Sequence, residues 1–302
     1  MPRITHGQPD ADIGPRGRPT VSPMKGRYVA VGDSFTEGVG DANLMYPNGV
    51  RGWADRMARQ MGRADATWEY ANFAIRSKRL DEIVDEQFDA ALALEPTLIS
   101  FYAGGNDILA VRSDMPAIME RYEAALQRLV GSGAQVLLFT TFDVKISTAL
   151  EPLRRRIVFY NDAVRELARQ YGCLLVDHTQ FREFDDPRMW AFDRIHMSRL
   201  GHKHLAAYVL AELGIPHTLK LPELPPFEAP HWRESIRTES RWLATEVIPL
   251  FRRRINGVRE GDTLLPKWPE PIRPADGMKR LARARAGDAV EVRARAGERH
   301  AG

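Results

Sequence analysis

The sequence predicts an α/β protein: a three-layer α/β/α sandwich on a flavodoxin-like, five-stranded parallel sheet, with a basic, Pro-rich C-terminal extension. Three observations predict it. Short apolar runs alternate with helix-periodic segments between residues 26 and 216. The runs are near-continuously apolar, as strands covered on both faces must be. The composition, 44% hydrophobic and 27% charged, is that of a chain able to bury a core.

Each element follows from its residues. Residues 1–25 are rich in Pro, Gly and charge and read as a flexible leader. Residues 28–32 (YVAVG) are a first strand ending in glycine. Residues 50–62 carry Val50, Trp53, Met57 and Met61 at helical spacing, and 68–73 form a second strand. In 78–94, Leu80, Ile83, Val84, Phe88 and Leu92 share one helix face. A third strand, 97–102, follows Pro96. Residues 114–130 form a helix with Asp114 as N-cap and Gly131 as its stop. Residues 135–141 are a fourth strand. Pro152 starts and Gly172 ends the next helix. Residues 174–176 are a fifth strand, and 199–213 a last helix before Gly214 and Pro216.

Composition shifts near Pro216. Residues 217–302 hold 17 Lys/Arg against 12 Asp/Glu, a balance of +5, whereas the first 216 residues carry −2. Ten of the twenty prolines lie at or beyond Pro216. We therefore divide the chain into 1–25, a folded domain at 26–216, and a partly helical, partly disordered extension at 217–302. Residues 232–256 read as a helix and 275–302, biased to Ala, Arg and Gly, as a loose tail. Such an extension suits an anionic partner or membrane surface, with no specific nucleic acid implied. On this division, removing 217–302 should leave the chemistry of 26–216 intact.

The single cysteine, Cys173, excludes an intrachain disulfide and a Cys-based zinc site. The opening residues lack the apolar stretch of a secretory signal, and no run approaches the ~18 apolar residues of a membrane span. The expected location is cytoplasmic.

Three segments fall at strand ends or before a helix, where this fold places ligands. Gly32-Asp33-Ser34 follows the first strand, Gly104-Gly105-Asn106-Asp107 the third, and Asp193-Arg194-Ile195-His196 precedes the last helix. A serine is a weak nucleophile without a base, an acid to orient that base, and donors for the oxyanion. The segments supply all of these, in the order Ser, Asn, Asp, His. Asp33 and Asp107 read as acids that tie the site loops together. Arg76 and Arg79 lie beside the site and suit either an anionic substrate group or a solvated helix start. His202 and His204 diverge on a helix, so no metal is expected. Tyr46, Trp190 and Phe192 are candidates to line a substrate pocket.

With Asn72-Phe73-Ala74-Ile75-Arg76-Ser77 added, these blocks resemble the SGNH hydrolases, also called GDSL-type esterases and lipases. The resemblance covers roughly residues 26–213. It implies Ser34 as nucleophile, His196 as base and Asp193 as its orienter. The oxyanion hole would be the Ser34 and Ser77 N–H groups and the Asn106 side chain. The family usually has glycine where Ser77 stands. Serine keeps the N–H but is strained if the loop needs positive φ there. The resemblance implies a carboxylic ester hydrolase with no cofactor, acting on a small-molecule, lipid or carbohydrate ester. Two alternatives stay open: a carbohydrate O-acetyl esterase or acyltransferase, and a catalytically weak module that binds a partner through its basic tail.

Overall fold

A computed structural model describes residues 26–110, 112–142, 151–227, 245 and 260–286. The leader at 1–25 and the helix expected at 232–256, Thr245 apart, lie outside the described residues. Strands β1 (Arg27–Gly32), β2 (Glu69–Asn72), β3 (Leu98–Tyr102), β4 (Gln135–Phe139) and β5 (Leu174–Val176) pair in parallel. Their order, β5-β4-β3-β1-β2, is the flavodoxin-like one.

The pleat sorts successive residues onto two cores. Tyr28 and Ala30 of β1 join one core, with Tyr70, Leu98, Leu137 and Phe139 of neighbouring strands. Helices α2 (Gly52–Ala64) and α7 (Arg199–Glu212) cover that face with Trp53, Met57, Met61, Leu205 and Val209. Val29 and Val31 join the other core, with Ala71, Ile99, Phe101 and Leu138. There α3 (Leu80–Leu92), α5 (Met115–Gly131) and α6 (Glu151–Gln170) supply Phe88, Tyr122, Leu126, Tyr160 and Val164. Two four-residue helices, α1 (Ser34–Glu37) and α4 (Gly105–Ile108), leave the ends of β1 and β3.

The extension contributes to this domain. A sixth strand, β6 (Trp268–Ile272), pairs antiparallel with β2 through Asn72↔Trp268 and Tyr70↔Ile272. The sheet is therefore six-stranded rather than five-stranded. Pro269 and Pro271 conceal the strand in the sequence, because proline removes ladder donors; an edge strand, with one side unpaired, tolerates them. The expectation of a loose tail at 275–302 is corrected for residues 275–286, and 287–302 lie outside the described residues. Residues 278–286 are helical, and Met278 and Ala282 are buried in the first core. No helix among the described residues is long and apolar enough to cross a membrane.

Candidate active site

The site begins where β1 turns into α1. Gly32 has φ 151°, and a Cβ there would lie 2.4 Å from the Tyr102 carbonyl oxygen, so only glycine makes this turn without displacement. Asp33 caps α1, its Oδ1 accepting from the Phe35 N–H at 3.0 Å. Ser34, the first residue of α1, is thereby presented at the carboxyl end of β1.

The His196 segment, 162 residues further along the chain, meets Ser34 at this point. Asp193 Oδ1 accepts from the N–H groups of Ile195 and His196, both at 3.0 Å. Its Oδ2 is 2.6 Å from His196 Nδ1, and His196 Nε2 is 2.9 Å from Ser34 Oγ. An aspartate acceptor requires Nδ1 to carry a proton, which leaves Nε2 as acceptor for the serine hydroxyl. Burial raises the Asp193 carboxyl, but its bonds to His196 and Ile195 and the charge of His196 outweigh this, and its pKa falls below the ordinary value. This chain can draw a proton from Ser34 and stabilise the imidazolium that results.

Asn106 stands near the start of α4. Its Nδ2 donates to Lys78 O at 2.9 Å and more weakly to Asp33 Oδ2 at 3.4 Å. Gly104 caps α4 at φ 97°, and a Cβ there would strike the Tyr160 ring at 2.7 Å. Gly105 is the first residue of α4. Asp107 Oδ2 accepts from the Leu80 N–H at 3.0 Å, tying α4 to the start of α3; burial raises its pKa. Asp33 and Asp107 thus both hold site loops together. Ser77, immediately before Lys78, has φ 67°, the left-handed conformation that glycine adopts freely. The strain is about 1–2 kcal/mol, against roughly 0.5–1 kcal/mol lost when glycine frees the unfolded chain. Ser77→Gly is expected to keep kcat within about twofold and stability within ~1 kcal/mol, measured by ester turnover and urea midpoints.

Other candidates fall elsewhere. The Arg76 guanidinium grips Glu37, Nε to Oε2 at 2.9 Å and Nη2 to Oε1 at 2.8 Å, so it is engaged within the protein rather than offered to a substrate. Glu37 itself is fully buried and escaped the sequence reading; a glutamate in a loop motif gives no sign of burial. The Arg79 N–H donates to Glu82 Oε2 at the start of α3. Tyr46 is core, and Phe192 is exposed. Trp190 lines a cleft of about 390 Å³ with Phe142, His178 and Phe184. Phe35, 5.9 Å from the His196 ring, links the cleft to the site through Phe142, 6.3 Å away.

His202 Nε2 donates to Val39 O at 2.9 Å, and His178 Nδ1 donates to Thr140 O. Burial pushes both imidazoles down to about 4. Each stays neutral in the fold but takes a proton near its ordinary value once unfolded. Stability is therefore full above about pH 6.5 and declines as pH falls towards 4, by up to ~3 kcal/mol for each ring. Urea midpoints should drop between pH 7 and 4.5; a flat profile would contradict this. Among the described residues, no three His, Cys, Asp or Glu side chains converge on a common point.

The model of the GDSL-like Lipase/Acylhydrolase family matches residues 30–204. An acetylxylan esterase of Geobacillus stearothermophilus is 31% identical over 137 residues, 41% of this chain and 62% of that protein. A GDSL esterase/lipase of Arabidopsis thaliana is 25% identical over 211 residues, 63% of this chain and 79% of that one. Among solved structures, an α/β hydrolase from the metagenome of Lake Arreo, Spain, superposes with a TM-score of 0.53 at 20% identity, covering 63% of this chain and 95% of that one. The acetylxylan esterase Axe2 of G. stearothermophilus has a TM-score of 0.51 at 22% identity, with the same coverage. These structural likenesses bear on the fold. The family match spans more than half of the chain and takes in Ser34, Ser77, Asn106, Asp193 and His196. The chain belongs to the GDSL-like lipase/acylhydrolase family of ester hydrolases.

Proposed function

We propose that the protein cleaves carboxylic esters through an acyl-enzyme on Ser34. The observation that carries this reading is the unbroken hydrogen-bond chain Ser34 Oγ–His196–Asp193. His196 Nε2 takes the hydroxyl proton as Oγ attacks the ester carbonyl. The N–H groups of Ser34 and Ser77 and the Asn106 amide receive the oxyanion, which displaces the weak 3.4 Å contact to Asp33. His196 then protonates the leaving alcohol, and water repeats the sequence to free the acid. The test is a fluorophosphonate probe with the adduct mapped by mass spectrometry. Labelling should fall on Ser34 and vanish in His196→Ala; labelling elsewhere, or none on folded protein, would sink the reading.

A second reading names the alcohol as a carbohydrate carrying O-acetyl groups, with transfer to another sugar as its acyltransferase variant. Similarity to an acetylxylan esterase and the cleft of Trp190, Phe142 and Phe184 support it. Aromatic faces with a few polar groups suit sugar rings. Faster release of acetate from acetylated xylo-oligosaccharides than of butyrate from a simple aryl ester would favour it. The tail-binding alternative has less support: Lys267 is buried, although Arg273, Lys279, Arg280 and Arg283 face solvent. Failure to sediment with anionic vesicles would count against a membrane surface as the partner of the tail.

A further inference from the structure

Ser77 occupies a backbone conformation its side chain disfavours, so neighbouring residues must hold it there. The hold runs through Arg76, the residue before it. Glu37 Oε2 accepts from the Arg76 N–H at 2.7 Å as well as from its guanidinium. Glu37 is in turn fixed from outside the matched family region. Asn48 Nδ2 bridges Glu37 Oε1 at 3.1 Å and the Leu265 carbonyl at 3.0 Å. Lys267, wholly buried, donates to the carbonyls of Glu37 at 2.8 Å and Arg51 at 3.0 Å, and to the Asp55 carboxylate. Gly261 is pressed against the same loop: a Cβ there would lie 2.1 Å from the Arg76 carbonyl oxygen and 3.0 Å from Ile75 Cγ2.

The C-terminal segment thus meets the Ser77 loop twice, directly at Arg76 and through Glu37, at the last residue of the helix that opens with Ser34. We propose that residues 260–268 are a positioning element that aims the Ser77 N–H at the oxyanion, so that the extension sets the rate of the chemical step. This rests on the reading of Ser77 as an oxyanion donor. Such a donor contributes through geometry specific to the transition state, so its displacement acts on kcat more than on KM.

The test uses the full-length chain with p-nitrophenyl acetate, the active enzyme being counted by fluorophosphonate titration of Ser34. Gly261→Ala should lower kcat about tenfold or more, with KM within about twofold. Fluorophosphonate labelling should slow in parallel, because the phosphonyl oxygen uses the same donors. Asn48→Gly tolerates the positive φ of that residue and removes the bridge to Leu265. It should show the same split and serves if Gly261→Ala does not fold. Lys267→Met with Asp55→Asn, which removes both buried charges, should follow. A folded variant with wild-type kcat, or one altered only in KM or melting temperature, overturns the proposal. Absence of Ser34 labelling in the wild type would instead remove the functional reading, and this inference with it.

Discussion

Ester turnover is expected to fall about ten-thousandfold or more in Ser34→Ala, with the fold unchanged. The serine hydroxyl makes one side-chain bond, to His196 Nε2, and Ser34 is held in place by the backbone of α1 and the Asp33 cap. Alanine keeps both of these and good helix propensity. The loss should lie in kcat, and His196→Ala should cost a similar factor, because nucleophile and base act as one unit. Asp193→Asn should cost less than removal of the serine, since it leaves a partner on Nδ1 but favours the wrong tautomer. Steady-state kinetics on an aryl acetate, with circular dichroism as the control for folding, would decide this. Residual turnover within tenfold of wild type in Ser34→Ala would show that another group attacks.

A chain ending at residue 259 is expected not to fold cooperatively at 25 °C. Two losses combine. Trp268, buried beside Asp55, leaves a cavity worth about 3–5 kcal/mol. Deleting the segment also opens to water the Asp55 carboxylate, deprived of Lys267 and Trp268, and the apolar face that Met278 and Ala282 cover, a further loss of roughly 3–5 kcal/mol. Burial already raises that carboxyl, and Lys267 is the main influence opposing it. Together they rival the whole stability of an ordinary domain, about 5–15 kcal/mol. A sigmoidal urea transition near the wild-type midpoint would refute this. The result bears on domain organisation, because composition alone suggested that everything beyond Pro216 was dispensable.

The parallel core was legible because most of its strands are apolar runs on a doubly covered sheet, β2 (EYAN) being the exception, and the long helices carry apolar stripes. Helices α1 and α4, at four residues each, are too short to show a period; the strand-end turns dictate them. Ser34, Asn106, Asp193 and His196 were legible by position, each lying at a strand end or in a pre-helix loop. What stayed hidden is pairing across distance. Asp55 and Lys267 are separated by 212 residues, and an ion pair leaves no local pattern in a charged sequence. Arg76 was ambiguous for the same reason: a sequence shows that a guanidinium is present but not that Glu37 has claimed it.

The place of β6 in the chain carries a consequence for biogenesis. During synthesis the edge of β2 and the Asp55 carboxylate exist long before Lys267 and Trp268 leave the ribosome. Until then the nascent protein has an open sheet edge, a site for mispairing with other strands. Closing so long a loop is entropically costly and slow compared with forming the local β–α units. The five parallel β–α units should therefore form only a loosely packed intermediate at first, and the cooperative fold, with its activity, should appear once the antiparallel edge has paired.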